Sequence, residues 1–127
     1  MTTAGEDDVA LVLGAYAAWE RGDIDAAVAH MHPEIVWIEP DEFPMGGERR
    51  GPAAVAEYLR ASRESWREMR SQRRASVAGG DVVVIHHVEG TLLDGTANAV
   101  DVADVFTVRD GVVVRMAATL DLEAPFR

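Results

Sequence analysis

The sequence predicts a single α+β domain over residues 1–127, with helices in the first half and an antiparallel sheet in the second. Three observations carry this expectation. Apolar residues recur at helical spacing in three segments before about residue 67, one short alternating run precedes the third of them, and three long alternating runs fill the remainder. At 127 residues the chain fits one domain with a core and room for a cavity.

Taken in order, residues 7–21 form the first predicted helix, capped by Asp7 or Asp8, with Val9, Val12, Leu13, Tyr16 and Trp19 on one face and Gly22 as the stop. Asp23 caps a second, short helix that carries Ile24, Ala27, Val28 and Met31 and ends at His32-Pro33. A strand from Glu34 to Glu39 follows, with Ile35, Trp37 and Glu39 on one face. Residues 40–51 are rich in turn formers and read as a loop that could cover a pocket mouth, with Arg49-Arg50 as a solvated pair beside a Gly46-Gly47 hinge. Gly51-Pro52 opens the third helix, whose inward side holds Val55, Tyr58, Leu59, Ser62 and Trp66. Arg70, Arg73 and Arg74 fit a helix end or an edge strand equally well, and a strand is placed from about Ser71. Then come three strands, 82–93, 96–108 and 112–122, as an antiparallel meander.

Turn length decides what shares a face, because a one-residue change flips every side chain on the partner strand. A two-residue turn at Asp94-Gly95 would set Ile85, His87 and Glu89 beside Asp104. A three-residue loop closed by a left-handed Gly95 instead sets Val84, His86, Val88 and Gly90 there, and gives one coherent apolar face. The same choice at Arg109-Asp110-Gly111 adds Val112, Val114, Met116, Ala118 and Leu120. His86 then lies opposite Val102 and diagonal to Asp104. Asp104 is the residue of interest, a carboxyl between Val102 and Phe106 on an otherwise apolar face. Burial there demands either a partner or a raised pKa, and acid-base catalysis uses both.

Composition excludes whole classes of chemistry. The 22 acidic residues against 12 basic ones give a formal charge of −10, which repels nucleic acid and anionic membrane surfaces. All the basic residues are arginine, so a Schiff-base or general-base lysine and a Walker-type phosphate site are out. Without cysteine there is no thiol nucleophile, disulfide or thiolate metal site. His30 and His32 are two apart on a predicted helix, do not face each other and lack a third ligand, so no metal is expected. The N-terminal residues lack the basic start of a secretory signal, and a cytoplasmic protein is the expectation.

Several segments carry a family resemblance: Ala17-Ala18-Trp19-Glu20-Arg21-Gly22-Asp23-Ile24, His32-Pro33-Glu34-Ile35-Val36-Trp37, Gly51-Pro52-Ala53-Ala54-Val55, and Val105-Phe106-Thr107-Val108-Arg109-Asp110-Gly111. With the order of elements, they resemble the cone-shaped fold of the nuclear-transport-factor-2-like superfamily, in its SnoaL-like polyketide-cyclase branch. The resemblance implies a curved antiparallel sheet packed against three helices. Beside steroid isomerase-like enzymes it implies Glu39 as a general base and Asp104 as a buried acid of an oxyanion hole. Counted back from Gly22, the oxyanion tyrosine of those enzymes falls on Ala15, leaving Tyr16 about 100° around the helix. Epoxide hydrolases of the fold use an Asp-Arg-Asp set whose late aspartate position holds Ala118 here. A His-Asp pair of the cyclase or dehydratase kind is available in His86 and Asp104.

The expected protein is therefore a cofactor-independent enzyme that moves protons on a small hydrophobic carbonyl-bearing or cyclic molecule in an enclosed cavity. Asp104, His86 and Glu39 would do the chemistry, and Tyr16, Trp37, Tyr58, Val102, Phe106, Met116 and Ala118 would form the wall. The competing class is a non-catalytic binding or assembly domain of the same fold. The outer sheet face, which mixes Ile85, Ala103 and Val105 with His87, Asp101 and Arg115, together with the resemblance, suggests a homodimer.

Overall fold

A computed structural model describes residues 4–127; the first three residues, which the single-domain expectation also included, lie outside the described residues. The element order is α1 (Ala4–Glu20), α2 (Ile24–Ala27), β1 (Met31–Glu39), β2 (Gly47–Arg50), α3 (Pro52–Glu64), β3 (Trp66–Ala78), β4 (Asp81–Leu92), β5 (Ala97–Arg109) and β6 (Val112–Thr119). The strands form one six-stranded sheet in the order β2-β1-β6-β5-β4-β3, with the helices against one face. This is the α+β class predicted, with one refinement. β1 runs parallel to β6, so the sheet is antiparallel at every pairing but that one.

Local chemistry explains the helix ends. At the end of α1, Gly22 takes φ +81°. Its N–H donates to Trp19 and the Asp23 N–H donates to Ala18, the reciprocal pair that closes a helix on a left-handed glycine. Asp23 then caps α2 by accepting from the Ala26 N–H at 3.2 Å. The start of α1 at Ala4 corrects the expected cap: Asp7 lies in the first helical turn, and Asp8 lies within the helix too.

Helix α2 is shorter than predicted, and Val28 and Met31 do not extend it. The N–H of Val113 captures the His30 carbonyl at 2.8 Å and draws the chain into the sheet, so that Met31 begins β1. His32-Pro33 therefore lies inside a strand and ends no helix. Proline is tolerated there because the β1–β6 register is irregular between Met31 and Val36, and β2 reaches only as far as Val36. The expected 40–51 loop also gives up its last part to β2, and the third helix stops before Trp66, which opens β3. β3 is an edge strand carrying Arg67, Arg70 and Arg74 on exposed positions, where charge discourages edge-to-edge pairing.

The two hairpins that set the site differ from each other. Between β4 and β5 the loop has three residues, Leu93-Asp94-Gly95, because the Leu92 N–H still bonds the Thr96 carbonyl at 2.9 Å and Gly95 is left-handed at φ +89°. The resulting register pairs Val84 with Asp104 and His86 with Val102, as predicted. Between β5 and β6 the expected three-residue loop is wrong. Arg109 pairs directly with Val112, and Asp110 and Gly111 take φ 52° and 75°, a two-residue turn with both centres left-handed. A bulge follows, since Val108 pairs with Val113 but Thr107 pairs with Arg115. The buried residue before it is Val113, not the predicted Val112 and Val114. Beyond it Met116 and Ala118 lie on the Asp104 face, as predicted, but the partners are shifted by two: Phe106 faces Met116 and Asp104 faces Ala118, where the three-residue loop would set Asp104 opposite Met116.

Gly90 meets a separate demand. A Cβ there would sit 2.2 Å from the Glu68 carbonyl oxygen, at the bulge where β3 closes on β4. The main core gathers Val12, Ile35, Trp37, Val55, Val84 and Met116 with Tyr16 and Phe106 between helices and sheet.

Candidate active site

Inside the cone lies a cavity of about 800 Å³, walled by α1, α3 and the inner face of the sheet. Three residues with carboxyl or imidazole groups are buried among the described residues, namely Glu39, His86 and Asp104, and all three line this cavity. The alternation of β1, β4 and β5 puts each on the inward face.

Asp104 accepts a short hydrogen bond on Oδ2 from the hydroxyl of Tyr16. Burial pushes its carboxyl up to about 6, against the opposing effect of that bond. Tyr16 is in turn raised well above the usual phenol range by burial first and by the Asp104 charge second. Tyr16 reaches Asp104 from the residue predicted to be out of register, and Ala15 only contributes to the wall.

Glu39, at the end of β1, accepts from the indole N–H of Trp37 at 2.7 Å. Burial raises it to about 7, the Asp104 charge adds to the rise, and Trp37, Tyr58 and Arg49 oppose it. The Tyr58 hydroxyl, hydrogen-bonded to Glu39, is raised by burial first and then by the Glu39 and Asp104 charges. Arg49 is not the solvated residue predicted. Its guanidinium stacks 4.4 Å from the centre of the Tyr58 ring, with Nη1 buried and unpartnered among the described residues. Arg50 is exposed and pairs with Glu48 at 2.8 Å.

His86 does not pair directly with Asp104, which corrects that expectation. Its Nε2 lies 2.7 Å from Ser71 Oγ on β3, and its ring packs edge-on to Tyr16 at 4.9 Å between centroids. Burial, then the nearby Arg73 charge, lowers it to about 4, so the ring is neutral around pH 7. His87, one residue on, faces outward and meets Asp101 at 2.8 Å.

Of the predicted wall residues, Tyr16, Trp37, Tyr58, Val102 and Phe106 line the cavity. Met116 and Ala118 do not. Met116 is wholly buried beneath the surface in register with Trp37 and Phe106, and Ala118 packs against the same core. Sequence reasoning missed Trp19 and Leu59 as wall residues, and it missed Ser71 and Arg73 behind His86. Their signal was the alternation Ser71, Arg73, Ala75, legible once this strand is paired with β4 so that Arg73 lies opposite His86. The loop 40–46 brings Phe43, Pro44 and Met45 to the wall, as its pocket-covering role anticipates. Gly46 is no free hinge, since a Cβ on it would lie 2.1 Å from the Pro40 carbonyl oxygen.

A half-open cone of helices and sheet with polar groups converging on an internal cavity defines a class, and sequence comparison places the chain within it. Residues 12–116 match the SnoaL-like domain family, and the chain belongs to that family. Among solved structures, TerC co-crystallised with polyporic acid is 30% identical over 93% of this chain and 94% of its own, with a TM-score of 0.77. An NTF2-like protein from Burkholderia xenovorans LB400 is 25% identical over 99% of this chain and all (100%) of its own, at TM-score 0.77. A candidate SnoaL-like polyketide cyclase from Jannaschia sp. CCS1 shares the fold at 20% identity and TM-score 0.78, covering 98% of this chain and 92% of its own. No curated protein sequence matches the chain. No helix among the described residues is long and apolar enough to cross a membrane.

Proposed function

We propose that the chain is a cofactor-independent enzyme of isomerase, cyclase or dehydratase type, acting by proton transfer on a small hydrophobic carbonyl-bearing or cyclic molecule. One observation carries this reading. Two buried carboxyls, Asp104 and Glu39, open on the same apolar cavity, and each is held by a tyrosine hydroxyl. Burial raises both, the Asp104 charge adds to the rise of Glu39, and they titrate at about 6 and about 7. Between those values the pair holds about one proton, so the cavity offers one general base and one general acid together. Tyr16 gives its one hydroxyl proton to Asp104 and so holds that carboxyl in place at the cavity wall. The small organic molecule co-crystallised with TerC supports such an occupant for this cavity.

Deuterium exchange tests the proposal without knowledge of the natural substrate. The apolar bicyclic ketone 2-tetralone, incubated with the protein in D₂O, should gain deuterium at its α-carbons faster than in buffer, with a rate maximum between pH 6 and 7. If tetralone quenches the cavity tryptophans and yet exchanges no faster than in buffer, the chain is a binding domain instead.

The outer sheet face supports a homodimer as a further part of this proposal. Ile85 and Val105 there are half-buried beside the His87–Asp101 pair, although Ala103 is already fully buried within one chain. Light scattering near physiological ionic strength should give twice the 13.8 kDa chain mass, and a monomer mass at micromolar concentration would overturn it.

A further inference from the structure

His86 has a second set of neighbours that proton transfer between Asp104 and Glu39 leaves unused. Ser71 and Arg73, two apart on β3, point to the same inner face as His86. Arg73 Nη1 donates to Ser71 Oγ at 2.8 Å and to Glu20 Oε2 at 3.3 Å, so a carboxylate on α1 anchors the guanidinium. Ser71 Oγ then lies 2.7 Å from His86 Nε2.

The direction of each bond in this chain follows from what each group can do. A guanidinium only donates, so Ser71 accepts from Arg73. Its hydroxyl has one proton left, and the only acceptor that Ser71 Oγ contacts among the described residues is His86 Nε2. A bond from Ser71 to Nε2 satisfies that proton within the protein and makes that nitrogen the lone-pair side of the ring. The Arg73 charge beside it opposes a second ring proton.

We propose that Glu20, Arg73 and Ser71 form a positioning relay that fixes His86 with its single ring proton on Nδ1, as an aimed hydrogen-bond donor for an oxygen of the cavity ligand. The ligand group met there is then an acceptor, such as a carbonyl, enol ether or enolate oxygen, and not an ammonium or other pure donor. An electrically neutral donor suits this task, because it polarises a carbonyl without bringing a charge that must be desolvated on binding. The other groups packed around the ring are Tyr16 and Trp19 from α1, both edge-on to it. The Tyr16 hydroxyl is committed to Asp104, and the Trp19 indole N–H to the Leu59 carbonyl at 3.1 Å, so neither competes for the imidazole. The use a ligand makes of the donor rests on the function proposed above, whereas the tautomer is a property of the protein alone.

Nitrogen NMR reads the tautomer directly. The full chain, labelled with ¹⁵N-histidine and free of any added ligand, is recorded at pH 7 by long-range proton–nitrogen correlation, with His86→Gln assigning the ring. The expected spectrum has Nδ1 at a pyrrole-type shift and Nε2 at a pyridine-type shift. Ser71→Ala should let the two forms interchange and move both nitrogens toward an average, and Ser71→Thr, which restores a hydroxyl, should restore the original order. Arg73→Met frees Ser71 to accept from the ring and should average the shifts as well. A wild-type ring protonated on Nε2, or on both nitrogens, overturns the relay, as does a Ser71→Ala spectrum identical to wild type. If Ser71→Ala fails to fold, the wild-type spectrum still decides between the two tautomers. None of these outcomes depends on turnover, so a failed tetralone assay and a failed relay are separate results.

Discussion

Asp104→Asn should slow tetralone exchange by about 10²–10⁴-fold, the usual worth of a positioned acid-base group, while leaving the cavity intact. Asparagine matches aspartate in shape, and its side-chain oxygen can still accept from Tyr16, so the hydrogen bond that ties α1 to β5 survives. The change removes the titrating proton and the charge that adds to the rise burial gives Glu39, so Glu39 should titrate somewhat lower in the variant. Exchange rates over pH 5–9, with near-ultraviolet circular dichroism as the check on folding, measure this. Retention of more than a tenth of the wild-type rate would move the chemistry off Asp104.

The same two carboxyls should make the protein less stable as the solution becomes more alkaline. Asp104 and Glu39 have folded-state pKa values of about 6 and about 7, above their ordinary values of 3.8 and 4.5. The folded chain therefore retains protons that the unfolded chain has released, and their contribution is complete near pH 4 and gone above about pH 7. His86 has the opposite sign: its value is lowered from 6.5 to about 4, so its contribution is present above pH 6.5 and lost as pH falls toward 4. A comparison of wild type with the double variant Asp104→Asn, Glu39→Gln cancels the histidine. Urea unfolding should find little pH-dependent difference near pH 4 and a gain for the double variant on the order of a few kcal/mol by pH 8. An equal difference at both pH values would show that the carboxyls are not held up by burial. Loss of stability at an acid-base site is a common cost of keeping polar groups in an apolar cavity.

The residues that sequence reasoning placed well are those fixed by strand parity. Glu39, His86 and Asp104 each sit in a run of alternating apolar residues, and a period of two leaves only one choice, which face is inside. A left-handed Gly95 settled that choice for β4 and β5. What escaped the sequence depended on contacts between elements far apart in the chain. Val113 capturing the His30 carbonyl shortened α2, and no local propensity encodes that. The count from Gly22 set Tyr16 about 100° off the isomerases' tyrosine position, yet its hydroxyl reaches Asp104 all the same. Arg73 and Ser71 were lost because Arg67, Arg70 and Arg73, three apart, fit a solvated helix end as well as an edge strand. Arg49 was misread for a related reason: an arginine beside glycines reads as loop, while the ring of Tyr58 that receives it comes from another element.

The bulge at Val114 has a consequence for how this protein can vary. The Asp110-Gly111 turn shifts the pairing of β6 by one position, and the bulge adds a second, so that side-chain parity is restored before Met116 and Ala118 are reached. The hairpin tip and the cavity face are thereby decoupled. Length can be exchanged between turn and bulge with Asp104 still opposite Ala118, so the far end of the sheet is free to drift in sequence and shape while the chemistry beneath it stays in frame.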